Sequence, residues 1–243
     1  MRTINFAKRN FKELIRDPLS IAFLIILPLF LLFIFQQFKI PNEVYSLNNF
    51  TPSIIVFSFT FIALFTSALI ARDRQTSLLI RLGVSPMKSY EYILGYTLSI
   101  LPIIILQNVV FFILAILLGL GFSISIIYTI LASLIIALLF ISLGVLIGSM
   151  VNEKAASGVS SALVQVVCFT SGMYFSNDMI GKGYAKVCDY LPFKACIDIL
   201  RGILNNDSTL LNLHNILVLL FYILLVMILA IVIFKKKMVS DNK

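Results

Sequence analysis

Five runs of the chain carry no Asp, Glu, Lys or Arg: residues 19–38, 52–71, 92–152, 155–177 and 208–234. A bilayer core about 30 Å thick needs about 20 apolar residues of helix to cross it. Four runs are therefore single spans. The longest, 92–152, holds two, joined by a turn around Gly119, Gly121 and Ser123. The pattern predicts an all-α integral membrane protein with six transmembrane helices at 19–38, 52–71, 92–117, 126–149, 155–177 and 211–234. The remaining polar segments are each too short to bury a core of their own, so residues 1–243 form one membrane domain.

The flanks add local structure. Ile4, Ala7, Phe11, Leu14, Ile15 and Pro18 recur at three- and four-residue spacing, with Lys8, Arg9, Lys12 and Arg16 between them. Residues 1–18 therefore predict an amphipathic helix lying in the membrane interface. The apolar run that follows is too long for a signal peptide and no small-residue cleavage pattern ends it, so it is expected to remain as the first span. Pro28 and Pro102 fall inside spans and predict bends. In the loop after the second span, Leu78, Leu79 and Leu82 form one apolar face, with Gly83 and Pro86 as stop signals. A short surface helix over 74–82 follows, either plain loop structure or an apolar knob for a moving partner. Gly144 and Gly148 form a GxxxG pair that lets another helix approach closely.

Charge orients the bundle. Of 19 basic residues, all but Lys39, Lys182, Lys186, Lys194 and Arg201 fall on the side that holds both termini. Excess Lys and Arg mark the cytoplasm, so the N- and C-termini are expected inside. The formal net charge of +8 then reflects this bias and anionic lipid headgroups, and does not call for nucleic acid. No ionised residue interrupts a span, which removes the usual coupling groups of an ion-coupled secondary transporter or channel, the alternative reading. The single histidine, His214, and the lack of H-E-x-x-H and G-x-S-x-G motifs leave no catalytic or metal-ligating residues to name. Cys168 lies within a span, whereas Cys188 and Cys196 share the outer segment, where both a disulfide and two free thiols are open.

Three stretches carry a family resemblance. They are Asn10-Phe11-Lys12-Glu13-Leu14-Ile15-Arg16-Asp17-Pro18 running into the first span, Leu79-Ile80-Arg81-Leu82-Gly83-Val84-Ser85-Pro86, and Ser171-Gly172 through Leu191-Pro192 to Asp198 and Arg201. In order and spacing the chain resembles an ABC-2 type transporter permease, the membrane subunit of an ATP-binding cassette exporter, essentially end to end. The resemblance implies that two permeases, the second a copy or a homologue, enclose an export path in a bacterial plasma membrane. Cytoplasmic ABC ATPase subunits would drive it. ATP and Mg would be bound by those partners, consistent with the lack of a G-x-x-x-x-G-K-[ST] loop here.

The same resemblance makes 72–88 the coupling-helix loop, with Arg74, Gln75, Leu78, Leu79, Arg81, Leu82 and Gly83 at the ATPase contact. It also implies short outer helices between spans five and six, over 178–201, and a dimer seam where spans one, two and five meet. Uncharged polar groups cluster on spans two and five, and Gln165 cannot easily bond to its own backbone. Gln36, Phe57, Ser58, Phe61, Ser161, Gln165 and Phe169 are accordingly expected to line a narrow, mostly apolar conduit. A drug, a peptide, a lipid or a glycolipid all suit such a path.

Overall fold

The computed structural model describes residues 2–38, 40–75, 89–176 and 179–240. Among them lie nine helices: α1 (Arg2–Arg16), α2 (Pro18–Gln37), α3 (Leu47–Gln75), α4 (Ser89–Leu117), α5 (Ser125–Met150), α6 (Glu153–Thr170), α7 (Lys182–Tyr190), α8 (Pro192–Asn205) and α9 (Leu213–Ser240). A 3-10 turn, Glu43–Tyr45, precedes α3. Five helices are long and apolar enough to cross a membrane: α2, α3, α5, and the stretches Tyr90–Leu117 of α4 and Leu213–Lys237 of α9. The expected span over 155–177 is the shorter α6. Gly172, at φ 72°, stands just beyond its C-cap in the left-handed region that suits glycine, and this ends the helix well before residue 177.

Helix α3 is the post around which the others stand. In its most apolar window 83% of residues are buried, against 22% for α2 and for α9. Small residues make this possible. A Cβ on Gly144 would lie 2.8 Å from the Ala63 carbonyl oxygen, and one on Gly148 would lie 2.5 Å from that of Ser67. The GxxxG pair thus seats α5 against α3 within one chain, where close backbone approach replaces the hydrophobic driving force that lipid cannot supply. On another side Ser67 Oγ and Ser160 Oγ share a hydrogen bond of 2.7 Å, which joins α3 to α6.

Helix α1 is more deeply docked than its amphipathic pattern suggests. Phe6, Ala7, Asn10 and Leu14 are buried, while Ile4 and Ile15 stay exposed. Phe6 packs edge-on to Tyr92 and Tyr96 of α4. That contact is tight, since a Cβ on Gly95 would meet the Phe6 ring at 2.5 Å.

Helix α2 contains a π turn, Ala22–Ile26. Pro28 lies just beyond it and has no N–H for the carbonyl of Leu24, so the expected bend takes the form of a widened turn. At the other end of the bundle α7 and α8 form a helical hairpin linked at Leu191 and Pro192. His214 joins it to α9 through Asp189 O at 3.2 Å. Cys168, Cys188 and Cys196 are all free thiols and all buried.

Replacing Gly148 by Val should destabilise the protein by about 1–3 kcal/mol through overpacking, read as a lower melting temperature in detergent. Gly158 has nothing within 4 Å of its would-be Cβ. Its replacement by Ala should leave the melting temperature unchanged or higher.

Candidate functional site

A cavity of about 820 Å³ opens between the end of α1, the first turns of α2, the middle of α3 and one face of α6. Its walls are mostly apolar. Leu19, Phe23, Leu27 and Leu31 come from α2, and Phe57, Phe61, Leu64 and Phe65 from α3. Helix α6 contributes a polar stripe, because Ser157, Ser161 and Gln165 recur every four residues and so share one face. All three are exposed. Ser161 donates back to Ser157 O at 2.8 Å, and the Gln165 amide has no partner among the described residues. Glu13, Asp17, Arg72 and Glu153 also reach the cavity and give it a charged end.

Five of the seven residues expected along a conduit meet here: Phe57, Phe61, Ser161, Gln165 and Phe169. The other two lie elsewhere. Ser58 points to α4, where it accepts a hydrogen bond from Gln107 Nε2 at 2.8 Å. Gln36 donates to Tyr45 O at 2.8 Å and braces the turn before α3. Of the residues expected at the ATPase contact, Leu78, Leu79, Arg81, Leu82 and Gly83 lie outside the described residues. Arg74 and Gln75 end α3, and Arg74 has a task inside the bundle. Its Nη1 donates to Gly148 O at 3.0 Å and to Ser149 O at 2.6 Å, capping the negative end of α5.

Beneath the charged end of the cavity sits a group that sequence reading placed in a loop. Asp73 is 1% exposed. Arg9 grips it with both terminal nitrogens, Nη1 to Oδ2 at 3.0 Å and Nη2 to Oδ1 at 2.8 Å. Tyr96 donates its hydroxyl to Oδ2 at 2.8 Å. Glu13 pairs with Arg9 at 2.9 Å and with Arg72, so the cluster ties α1 to α3 and α4. Burial lowers the pKa of Arg9, but the hydrogen bond and charge of Asp73 outweigh it and the net shift is upward, toward the charged form. The available signal was that Asp73 is the sole acidic residue between Glu43 and Glu91.

The opposite end is held by a second arginine. Arg201 of α8 donates Nε to Asn49 O at 3.0 Å, and Nη2 to Ser53 Oγ at 2.7 Å and to Gly172 O at 3.1 Å. One side chain thereby fastens α8 to the start of α3 and the end of α6. Desolvation pulls its pKa down to about 10, against the opposing charge of Asp198.

Apolar helices of spanning length, with a polar-edged cavity among them, define a multi-pass membrane protein. The family model for the ABC-2 type transporter matches residues 3–205, and the chain belongs to that family. It is the membrane subunit of an ABC transporter, a kind of subunit that works with ABC ATPase partners. No curated protein matches the chain.

Replacing Arg9 by Met strips a buried carboxylate of its counter-charge and should cost about 3 kcal/mol, measured by thermal or denaturant unfolding in detergent. Combining it with Asp73→Leu should recover most of that loss, because the uncompensated charge is gone. A double variant no better than the single one would mean that the ion pair is not what holds α1.

Proposed function

We propose that the chain is the permease half of an ABC exporter and that the cavity between α2, α3 and α6 is its share of the translocation path. The observation that carries this reading is the exposed Ser157, Ser161 and Gln165 stripe, continued by Phe169 on the same helix and facing Phe57 and Phe61 of α3 across that cavity. A polar face of this kind is poorly matched to lipid, whereas a second permease, a copy or a homologue, would cover it and close the path. Helix α6 then serves inside the dimer as the fifth of six spans. The bias of basic residues supports cytoplasmic termini in a bacterial plasma membrane, with the charged end of the cavity toward the cytoplasm.

The lining matches an amphipathic or hydrophobic substrate. Aromatic and aliphatic walls take the apolar part, and Glu13, Asp17, Arg72 and Glu153 are positioned for a polar head. A drug, a peptide, a lipid or a glycolipid fits the description. Energy would arrive through the loop over 72–88, where Leu78, Leu79 and Leu82 supply the apolar contact to the ATPase and Arg81 and Gly83 frame it. The partner would bind ATP and Mg.

Tryptophan at Ser161 or Gln165 should abolish export in a vesicle assay while leaving insertion and ATPase association unchanged. Normal transport by both variants would put the path elsewhere. Replacing Leu79 and Leu82 by Asp should uncouple the complex in the opposite way, with loss of ATPase association and an intact fold, because charge at that contact would have to be desolvated.

Orientation has its own check. Cys188 and Cys196 are both fully buried, so the native thiols form a quiet background. A cysteine at the exposed Ser208 should react with a membrane-impermeant reagent in intact cells, and one at Ser77 should not. The reverse pattern would invert the bundle.

A further inference from the structure

A second cavity, of about 390 Å³, lies among the turn before α3, the chain after α6 and one face of α8. It shares no lining residue with the first. Lys194, Asp198 and Arg201 line it from α8, at spacings of four and three that put all three on one side of the helix. Glu43 faces them from the turn. The site is built and not fully used. The hydroxyl of Ser171, 1% exposed, lines it with no hydrogen-bond partner. Arg201 spends Nε and Nη2 on fastening helices, and its Nη1 has no partner among the described residues. The Asp198 carboxylate likewise has no hydrogen-bond partner among them, and desolvation pushes its pKa up, only partly offset by Lys194 and Arg201.

Donors and acceptors are separated within this space. Arg201 Nη1 and the Ser171 hydroxyl suit an oxyanion, with Lys194, paired to Asp189, adding positive charge nearby, and a phosphate accepts charge-assisted hydrogen bonds from a guanidinium N–H and a further one from a hydroxyl. Asp198 and Glu43 suit an ammonium group. A volume of this size takes a headgroup or a small zwitterion rather than a whole amphiphile. At the rim Met179 is 69% exposed and Ile180 beside it 55%, which offers an apolar surface to a chain attached to the bound head. We infer that this cavity is a binding site for a zwitterionic ammonium–phosphate group, held as the phosphoethanolamine head of a membrane lipid, with phosphate on Arg201 and Ser171 and ammonium on Asp198 and Glu43. The assignment stands apart from the translocation path and is independent of how that path is closed.

The test uses the full-length protein purified in detergent and stripped of lipid. It is titrated with short-chain phosphatidylethanolamine, short-chain phosphatidylglycerol, soluble phosphoethanolamine, ethanolamine and inorganic phosphate, and Kd is read by calorimetry. Phosphatidylethanolamine should bind at least about tenfold more tightly than phosphatidylglycerol. Asp198→Asn should remove most of that preference, and Ser171→Ala should weaken binding of both lipids. Melting temperatures without ligand act as the fold control. Should a variant fail to fold, Glu43→Gln, on an exposed turn, reports on the ammonium side instead. Equal binding of the two lipids by the wild-type protein would overturn the proposal, as would a preference that survives both Asp198→Asn and Glu43→Gln. If soluble phosphoethanolamine binds as tightly as the lipid, the zwitterion is the ligand but the membrane is not its source, and the lipid assignment falls. Weaker binding of the soluble head supports it.

Discussion

One carboxylate sets one end of this bundle. Asp73 sits in the last turn of α3, buried, where an unpaired negative charge would be expensive enough to unmake the local structure. Arg9 and Tyr96 are its counterweights, and each belongs to a different helix. Satisfying Asp73 therefore requires α1 to lie against α4 with Phe6 wedged over Gly95. The neighbouring Arg72 and Arg74 then point outward from a helix whose rotation is already settled, one to Glu13 beside the cavity and the other to the C-terminal carbonyls of α5.

Both ends of α3 follow the same logic with different chemistry. At one end a charge is matched by a charge. At the other, Arg201 is spent on neutral acceptors: two backbone carbonyls and a serine hydroxyl. Neutral acceptors satisfy the guanidinium hydrogens without cancelling its charge, so Arg201 keeps an electrostatic influence over the space it borders, whereas that of Arg9 is largely consumed. Between these ends the helix relies on close contact with Gly144 and Gly148 and on serine hydroxyls, as befits a region where apolar burial alone separates helices from lipid only weakly.

The helices were legible wherever composition alone decides. Charge-free runs mark α2, α4, α5 and α9 closely, because a bilayer-length apolar segment has few other uses. The ends of α3 were not. Residues 47–51 read as a polar linker, yet they are helical, and the Asn49 carbonyl and side chain are taken up by Arg201 and Asn205 from far along the chain. Arg72, Asp73 and Arg74 read as loop for the same reason. The fifth expected span, as α6, is shorter than its uncharged run since a glycine stops it. Among the cavity residues, Phe57 and Phe61 share one wall because they stand four residues apart on α3. Ser58, one position from Phe57, stands about 100° around the helix, an angle implied by about 3.6 residues per turn, and so it cannot share that wall. Its real partner, Gln107, was an amide in the middle of an apolar run, a signal of the kind that picked out Gln165.

The widened turn in α2 bears on the shape of the cavity wall. Leu19, Phe23, Leu27 and Leu31 are each four residues apart, and on an ordinary α-helix of about 3.6 residues per turn such a row winds steadily around the axis. The π turn takes up part of that drift. The four side chains can then run nearly parallel to the helix, forming a straight rail rather than a spiral, so that a flexible hydrocarbon chain could lie along it from end to end without being turned out toward the surrounding membrane.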